Sequence, residues 1–127
     1  MTEPAVLHID DVEGLHGGVF KRVGSTLGVT AFGLNVEQFP QGSEHYPDHD
    51  HSKDGQEEVY VILAGRATLT IDGEPHLMRQ GSVALVPAGH SRRFTMPDGD
   101  VQILAIGGVP GTAFSDVIAA REKAATT

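Results

Sequence analysis

The stretch that decides the fold runs from Gly42 to Gly65, GSEHYPDHDHSKDGQEEVYVILAG. Its second half, Glu58 to Leu63 (EVYVIL), is dense in β-branched and aromatic residues and stops at Ala64-Gly65, which predicts a strand. Its first half places His49 and His51 two positions apart. On an extended chain, residues i and i+2 share a face and lie about 6.5–7 Å apart, so both imidazoles can converge on one ion while Asp50 points away. Lys53-Asp54-Gly55 reads as a turn, after which Glu57 and Glu58 return beside the histidines. Two imidazoles and one carboxylate on one face make a facial set for a divalent metal, with positions left open for substrate or oxygen. The competing reading is a pair of exposed histidines in a polar loop.

Working outward, short apolar segments alternate with turn residues. Val29 to Phe39 is β-rich and stops at Pro40-Gln41-Gly42. Arg66 to Ile71 alternates with period two into Asp72-Gly73, the favoured two-residue hairpin signal, and Glu74 to Met78 is the return strand. Ser82 to Val86, Arg92 to Met96 and Val101 to Ile106 follow, separated by Pro87 and by Pro97-Asp98-Gly99. Some seven to nine short strands at this spacing predict an all-β sandwich or barrel of antiparallel strands. Val6 to Ile9 is a candidate edge strand. Ser115-Asp116 can cap a short C-terminal helix within 112–127, which needs docking to be stable. With no repeat, low-complexity segment or linker, residues 1–127 read as one domain.

Composition narrows the function. The 127 residues include no cysteine and no tryptophan, which removes disulfides, thiolate metal sites, cysteine nucleophiles and iron–sulfur clusters. It also favours a cytoplasmic setting, since nothing exploits an oxidising compartment. A formal net charge of -8 repels phosphate backbones and anionic membranes, so neither nucleic acid nor membrane is an expected partner. No apolar run approaches the roughly 20 residues that span a bilayer. Met1 to Ile9 carries Glu3 and no basic cluster, so it does not read as a signal peptide. Nucleophile elbows, phosphate loops and dinucleotide fingerprints are missing from the sequence.

Two motifs resemble those of the cupin superfamily. The first, about 42–65, runs Gly42, His49-x-His51, Glu58, Gly65, with Glu58 preferred to Glu57 because six residues separate it from Gly65. The second, about 81–94, keeps Gly81, Pro87 and Gly89 in register. The resemblance implies a small single-domain jelly-roll (double-stranded β-helix) barrel and a homodimer. It implies a site inside the barrel where His49, His51 and Glu58 hold Fe, Mn, Ni or Zn. It does not select a function, because one fold hosts many chemistries.

Two departures bear on the site. The interval from His51 to Glu58 is longer than the family's three or four residues, with the insertion in the turn. The position of the second-motif histidine holds Arg92, which has only donors and cannot ligate a metal. His90, two residues earlier, would share a face with Arg92 and Phe94 on an extended chain and could serve as a ligand instead. Two readings therefore stand. In one, the metal is bound, and Arg92 with Tyr60 orients a small anionic substrate for a dioxygenase- or isomerase-type reaction. In the other, Arg92 replaces the metal, pairs with Glu58, and leaves a metal-free module that binds or senses a small molecule. A structural scaffold with a vestigial, closed site is a further alternative. Parity from Glu58 puts Tyr60 and Ile62 inside the barrel, with Leu69, Ile71 and Phe94 in the core, while His45 and His76 read as rim or surface.

Overall fold

Period-two alternation builds two antiparallel sheets whose apolar faces meet. The computed structural model describes residues 3–41, 50–96 and 99–112. The larger sheet contains β1 (Gly14–Leu15), β2 (Phe20–Lys21), β3 (Gly33–Phe39), β4 (Glu57–Ala64), β7 (Val83–Val86) and β9 (Val101–Gly108), in the order β1-β2-β3-β9-β4-β7. The smaller holds β5 (Arg66–Ile71), β6 (Glu74–Arg79) and β8 (Arg92–Thr95), in the order β6-β5-β8. Each strand expected between Arg66 and Ile106 forms within a residue or two of its expected bounds. The β-rich stretch from Val29 becomes a strand only at Gly33.

Inward residues of both sheets share one core. Tyr60, Ile62 and Ile103 from the larger sheet pack with Leu69, Phe94 and Met78 from the smaller. Tyr60 and Leu69 are fully buried, as parity requires. The Tyr60 and Phe94 rings meet edge to face, 5.1 Å between centroids at 85°. Asp72 (φ 50) and Gly73 (φ 84) make the left-handed turn that joins β5 to β6, as the Asp-Gly pair predicts.

The N-terminal region differs from its expected form. Val6 is fully exposed, and Ile9–Asp11 forms a 3-10 turn in place of an edge strand. The His8 side chain accepts a hydrogen bond from the Asp10 backbone and so competes with extension. A five-residue helix α1 (Val23–Leu27), closed by Gly28 at φ 90, was not anticipated. It has too few turns to show helical periodicity, and its stability comes from packing. Val12 and Val23 cover Val36 on the outer face of β3, forming a second, smaller core. The helix expected from Ser115 onward lies outside the described residues.

Gly65 is required where β4 turns into β5. Its φ is +83, and a Cβ there would fall 2.2 Å from the Asp100 carbonyl oxygen. Gly65→Ala therefore meets both backbone strain and a clash with main chain. The expected loss is about 2–3 kcal/mol of folding free energy by denaturant titration, against about 1 kcal/mol for Gly111→Ser, which meets a positive φ of +74 but no clash.

Candidate functional site

Glu58 enters the barrel from β4, opposite Val86 of β7 and Gly107 of β9. Gly107 makes room for it, because a Cβ there would lie 3.4 Å from the Glu58 Cγ and 3.0 Å from Gln56 Oε1. Tyr60, one inward position further along β4, donates its hydroxyl to Glu58 Oε1 at 2.6 Å. Arg92 reaches the same oxygen from the other sheet. It is the first residue of β8, pairs with Ile71 of β5, and its Nη1 donates to Glu58 Oε1 at 2.9 Å. His51 Nε2 lies 2.7 Å from that oxygen as well. One carboxylate oxygen thus gathers a guanidinium, a phenol and an imidazole.

The Arg92 side chain is 0% exposed, and its other donors go to main-chain carbonyls. Nε donates to His90 O at 3.1 Å, and Nη2 to Pro87 O at 2.8 Å and His90 O at 2.9 Å. It therefore ties the second-motif loop to Glu58. This differs from a clamp on substrate, since a guanidinium with its donors held inside the protein presents little to a ligand. The Gly89 N–H adds a bond to Asp50 O at 2.9 Å and pins that loop to the start of the histidine turn.

His51 does not sit on an extended strand. Its φ is 56, and its carbonyl accepts from the Gly55 N–H at 2.8 Å, closing a turn over 51–55. The ring is aimed by Asp54, whose carboxylate oxygens lie 3.0 and 3.1 Å from Nδ1. The extended geometry assumed for His49 and His51 is thus corrected at His51, because the extra residues before Glu58 fold into a tight turn. His49 and His45 lie outside the described residues. Asp50 is exposed and accepts from the Ser52 N–H, as a residue turned away from the site should.

His90 is not brought to the cluster. The strand begins only at Arg92, so period-two parity does not extend back to position 90. The ring lies half exposed, with Nδ1 2.5 Å from Asp72 Oδ2, and the Ser91 N–H donates to Oδ1 of the same carboxylate. Asp72 therefore locks the hairpin turn onto the loop that supplies Arg92's acceptors. Two acidic residues escaped the sequence reading. Asp54 looked like turn chemistry alone. Glu37 is 2% exposed at an inward position of β3 beside Ile103, and parity from Phe39 could have placed it there.

Comparison with known proteins agrees with this architecture. The family model for the cupin domain matches residues 35–107. The chain belongs to the cupin family. An uncharacterised protein of Streptomyces coelicolor is 37% identical over 51 residues, 40% of this chain and 49% of that protein. The match therefore spans about half the length of that relative. A cupin protein of Bacteroides fragilis superposes with a TM-score of 0.71 at 21% identity, covering 88% of this chain and 89% of the other. A cupin-superfamily protein of Silicibacter pomeroyi described as a sugar phosphate isomerase gives 0.70 at 23% identity, covering 86% and 78%. At these identities the structural likeness speaks for the fold.

The electrostatics of this cupin's site follow from its contacts. The hydrogen bond to Glu58 raises the His51 pKa above 6.5 against the opposing effect of burial, with Asp54 adding to the rise. Burial by itself would raise the Asp54 pKa, but the Gln56 N–H and His51 outweigh it and hold the carboxyl below its ordinary value. The described part of the donor set, His51 and Glu58, fits a metal poorly. Glu58 Oε1 already faces three polar hydrogens or their equivalents, and one belongs to a permanent cation. Among the described residues, no three His, Asp or Glu side chains group to hold a metal ion.

Two outcomes follow. Arg92→Met leaves a buried carboxylate without its cation and should cost about 3–5 kcal/mol by denaturant titration. The double variant Arg92→Met/Glu58→Gln should recover part of that loss. A His51 pKa raised on folding contributes stability that is complete below about pH 6.5 and lost as pH climbs through the raised value. Melting temperature should therefore fall between neutral and alkaline pH, with a shallower slope in His51→Asn.

Proposed function

We propose that this cupin is a metal-independent small-molecule module, binding a small anionic organic compound at the end of the barrel where His51 and Glu58 meet. The observation that carries the reading is the Arg92 Nη1 to Glu58 Oε1 contact of 2.9 Å, which puts a fixed cation where the family pattern has a histidine. A dication beside the same carboxylate would be repelled by that guanidinium in a partly dry site. Of Arg92 and His51, only His51 reaches solvent, with 16% of its side chain exposed against 0% for Arg92. Both nitrogens of the His51 ring are held, Nδ1 by Asp54 and Nε2 by Glu58, so a ligand meets the exposed edge of the ring and exchanges with these contacts. The proton between His51 Nε2 and Glu58 Oε1, with the Tyr60 hydroxyl alongside, equips the site to move a proton on a bound ligand. The likeness to a protein described as a sugar phosphate isomerase supports small anionic ligands of this kind.

A second reading, a metal site of His49, His51 and Glu58, is favoured by one feature. The Nδ1 of His51 rests on Asp54, so Nε2 faces Glu58, the orientation that carboxylate-oriented metal ligands adopt. The proposal also keeps a cytoplasmic setting and a homodimer. The dimer would form through the outer face of the larger sheet, where Val83 and Leu85 are 66% and 58% exposed.

Elemental analysis of protein purified without chelator separates the readings. The expected outcome is substoichiometric Fe, Mn, Ni and Zn, no change in melting temperature with EDTA, and a rise with small carboxylates or sugar phosphates. A metal bound at one per chain, with destabilisation by EDTA, would overturn it.

A further inference from the structure

A different face of the molecule concentrates positive charge. The outward positions of the smaller sheet carry Arg66 on β5, Arg79 on β6 and Arg93 on β8 among threonines, a proline and a leucine, with no carboxylate. That is a third of the chain's nine Lys and Arg, in a sequence with 17 Asp and Glu. Arg66 and Arg79 are direct partners across β5 and β6. Like charges placed opposite each other in a ladder repel and destabilise the pair. An abundance of acids elsewhere does not relieve them, since among the described residues neither guanidinium makes an ion pair.

The two arginines also flank a groove of about 520 Å³, lined in addition by Thr68, Leu77, Met78 and Ser82. Leu77 is 90% exposed on the neighbouring outward position, an apolar surface beside two cations. Cross-strand partners stand about 4.5–5.5 Å apart at Cβ, so two guanidinium forks can close on one tetrahedral oxyanion from both sides. The Thr68 hydroxyl lies on the same face to donate to a remaining oxygen. We propose that this groove binds the phosphate group of a small organic phosphate, whose apolar body lies on Leu77. The groove covers the Arg66–Thr68 half of β5, away from Ile71, which pairs with Arg92. From Thr68, the groove residue nearest Ile71, three residues of strand, about 10 Å, lead to Ile71, whose side chain points to the opposite face of the sheet, so it is a separate site.

The test is titration of the full chain with phenyl phosphate, followed by amide NMR shifts and calorimetry at fixed ionic strength. Saturable shifts should map to Arg66, Thr68, Leu77, Arg79 and Ser82, and excess inorganic phosphate should displace the probe. Arg66→Gln/Arg79→Gln should weaken binding at least about tenfold, whereas Arg93→Gln, outside the groove, should keep it within about twofold. Shifts confined to His51 and its neighbours would overturn this site while leaving the barrel reading intact. Equal weakening by Arg93→Gln, or equal shifts with chloride, would reduce it to general charge attraction and overturn it too.

Discussion

A buried ion pair between two sheets organises this protein's interior cluster. Glu58 belongs to β4 and Arg92 to β8, strands that are not hydrogen-bonded to each other. Their side chains meet in the interior with Arg92 wholly shielded from water. Burying either charge alone would cost several kcal/mol, and the pair becomes tolerable only because every contact is matched. The guanidinium therefore draws in the carbonyls of Pro87 and His90, and the carboxylate draws in Tyr60 and His51. The second-motif loop, the histidine turn and the core aromatic are all positioned by this requirement.

The same requirement sets the chemistry. An arginine at the second-motif position pairs with the carboxylate permanently, and the hydrogen bond from His51 to Glu58, with Asp54 behind, favours the protonated form of His51. Asp72 supports this from outside. It fastens His90 and Ser91 to the β5–β6 turn, and those residues supply or adjoin Arg92's acceptors. The pairing with His90 also holds the Asp72 carboxyl below its ordinary pKa.

The two sheets present contrasting outer faces. On the larger one, α1 and the N-terminal turn cover the apolar residues of β3, while Val83 and Leu85 of the edge strand β7 remain exposed. The smaller sheet shows hydroxyls and arginines. Charge in this acidic chain is thus segregated by face, which lets one barrel carry a polar interior site and a cationic exterior groove.

What the sequence alone determined was local and periodic. Alternation from Glu58 through Tyr60 and Ile62 placed those side chains inside, and Asp72-Gly73 dictated a left-handed hairpin turn because few other residue pairs accept positive φ. The motif glycines placed Glu58 and Arg92 in a cupin frame, including the unusual cation. Tertiary structure decided everything that depends on irregular backbone or on contacts between distant segments. The seven-residue step from His51 to Glu58 left the turn unspecified, and only the folded chain put His51 at φ 56 with Asp54 behind its ring. Strand parity could not carry back from Arg92 to His90, since β8 begins only at Arg92 and His90 follows a left-handed Gly89 in the loop before it. Glu37, an acid between Asn35 and Phe39 on the inward face of β3, took its meaning only when β3 closed against β9. Side-chain direction in a strand is a property of the chain's own pleat; direction in a loop is set by whichever partners the fold brings within reach.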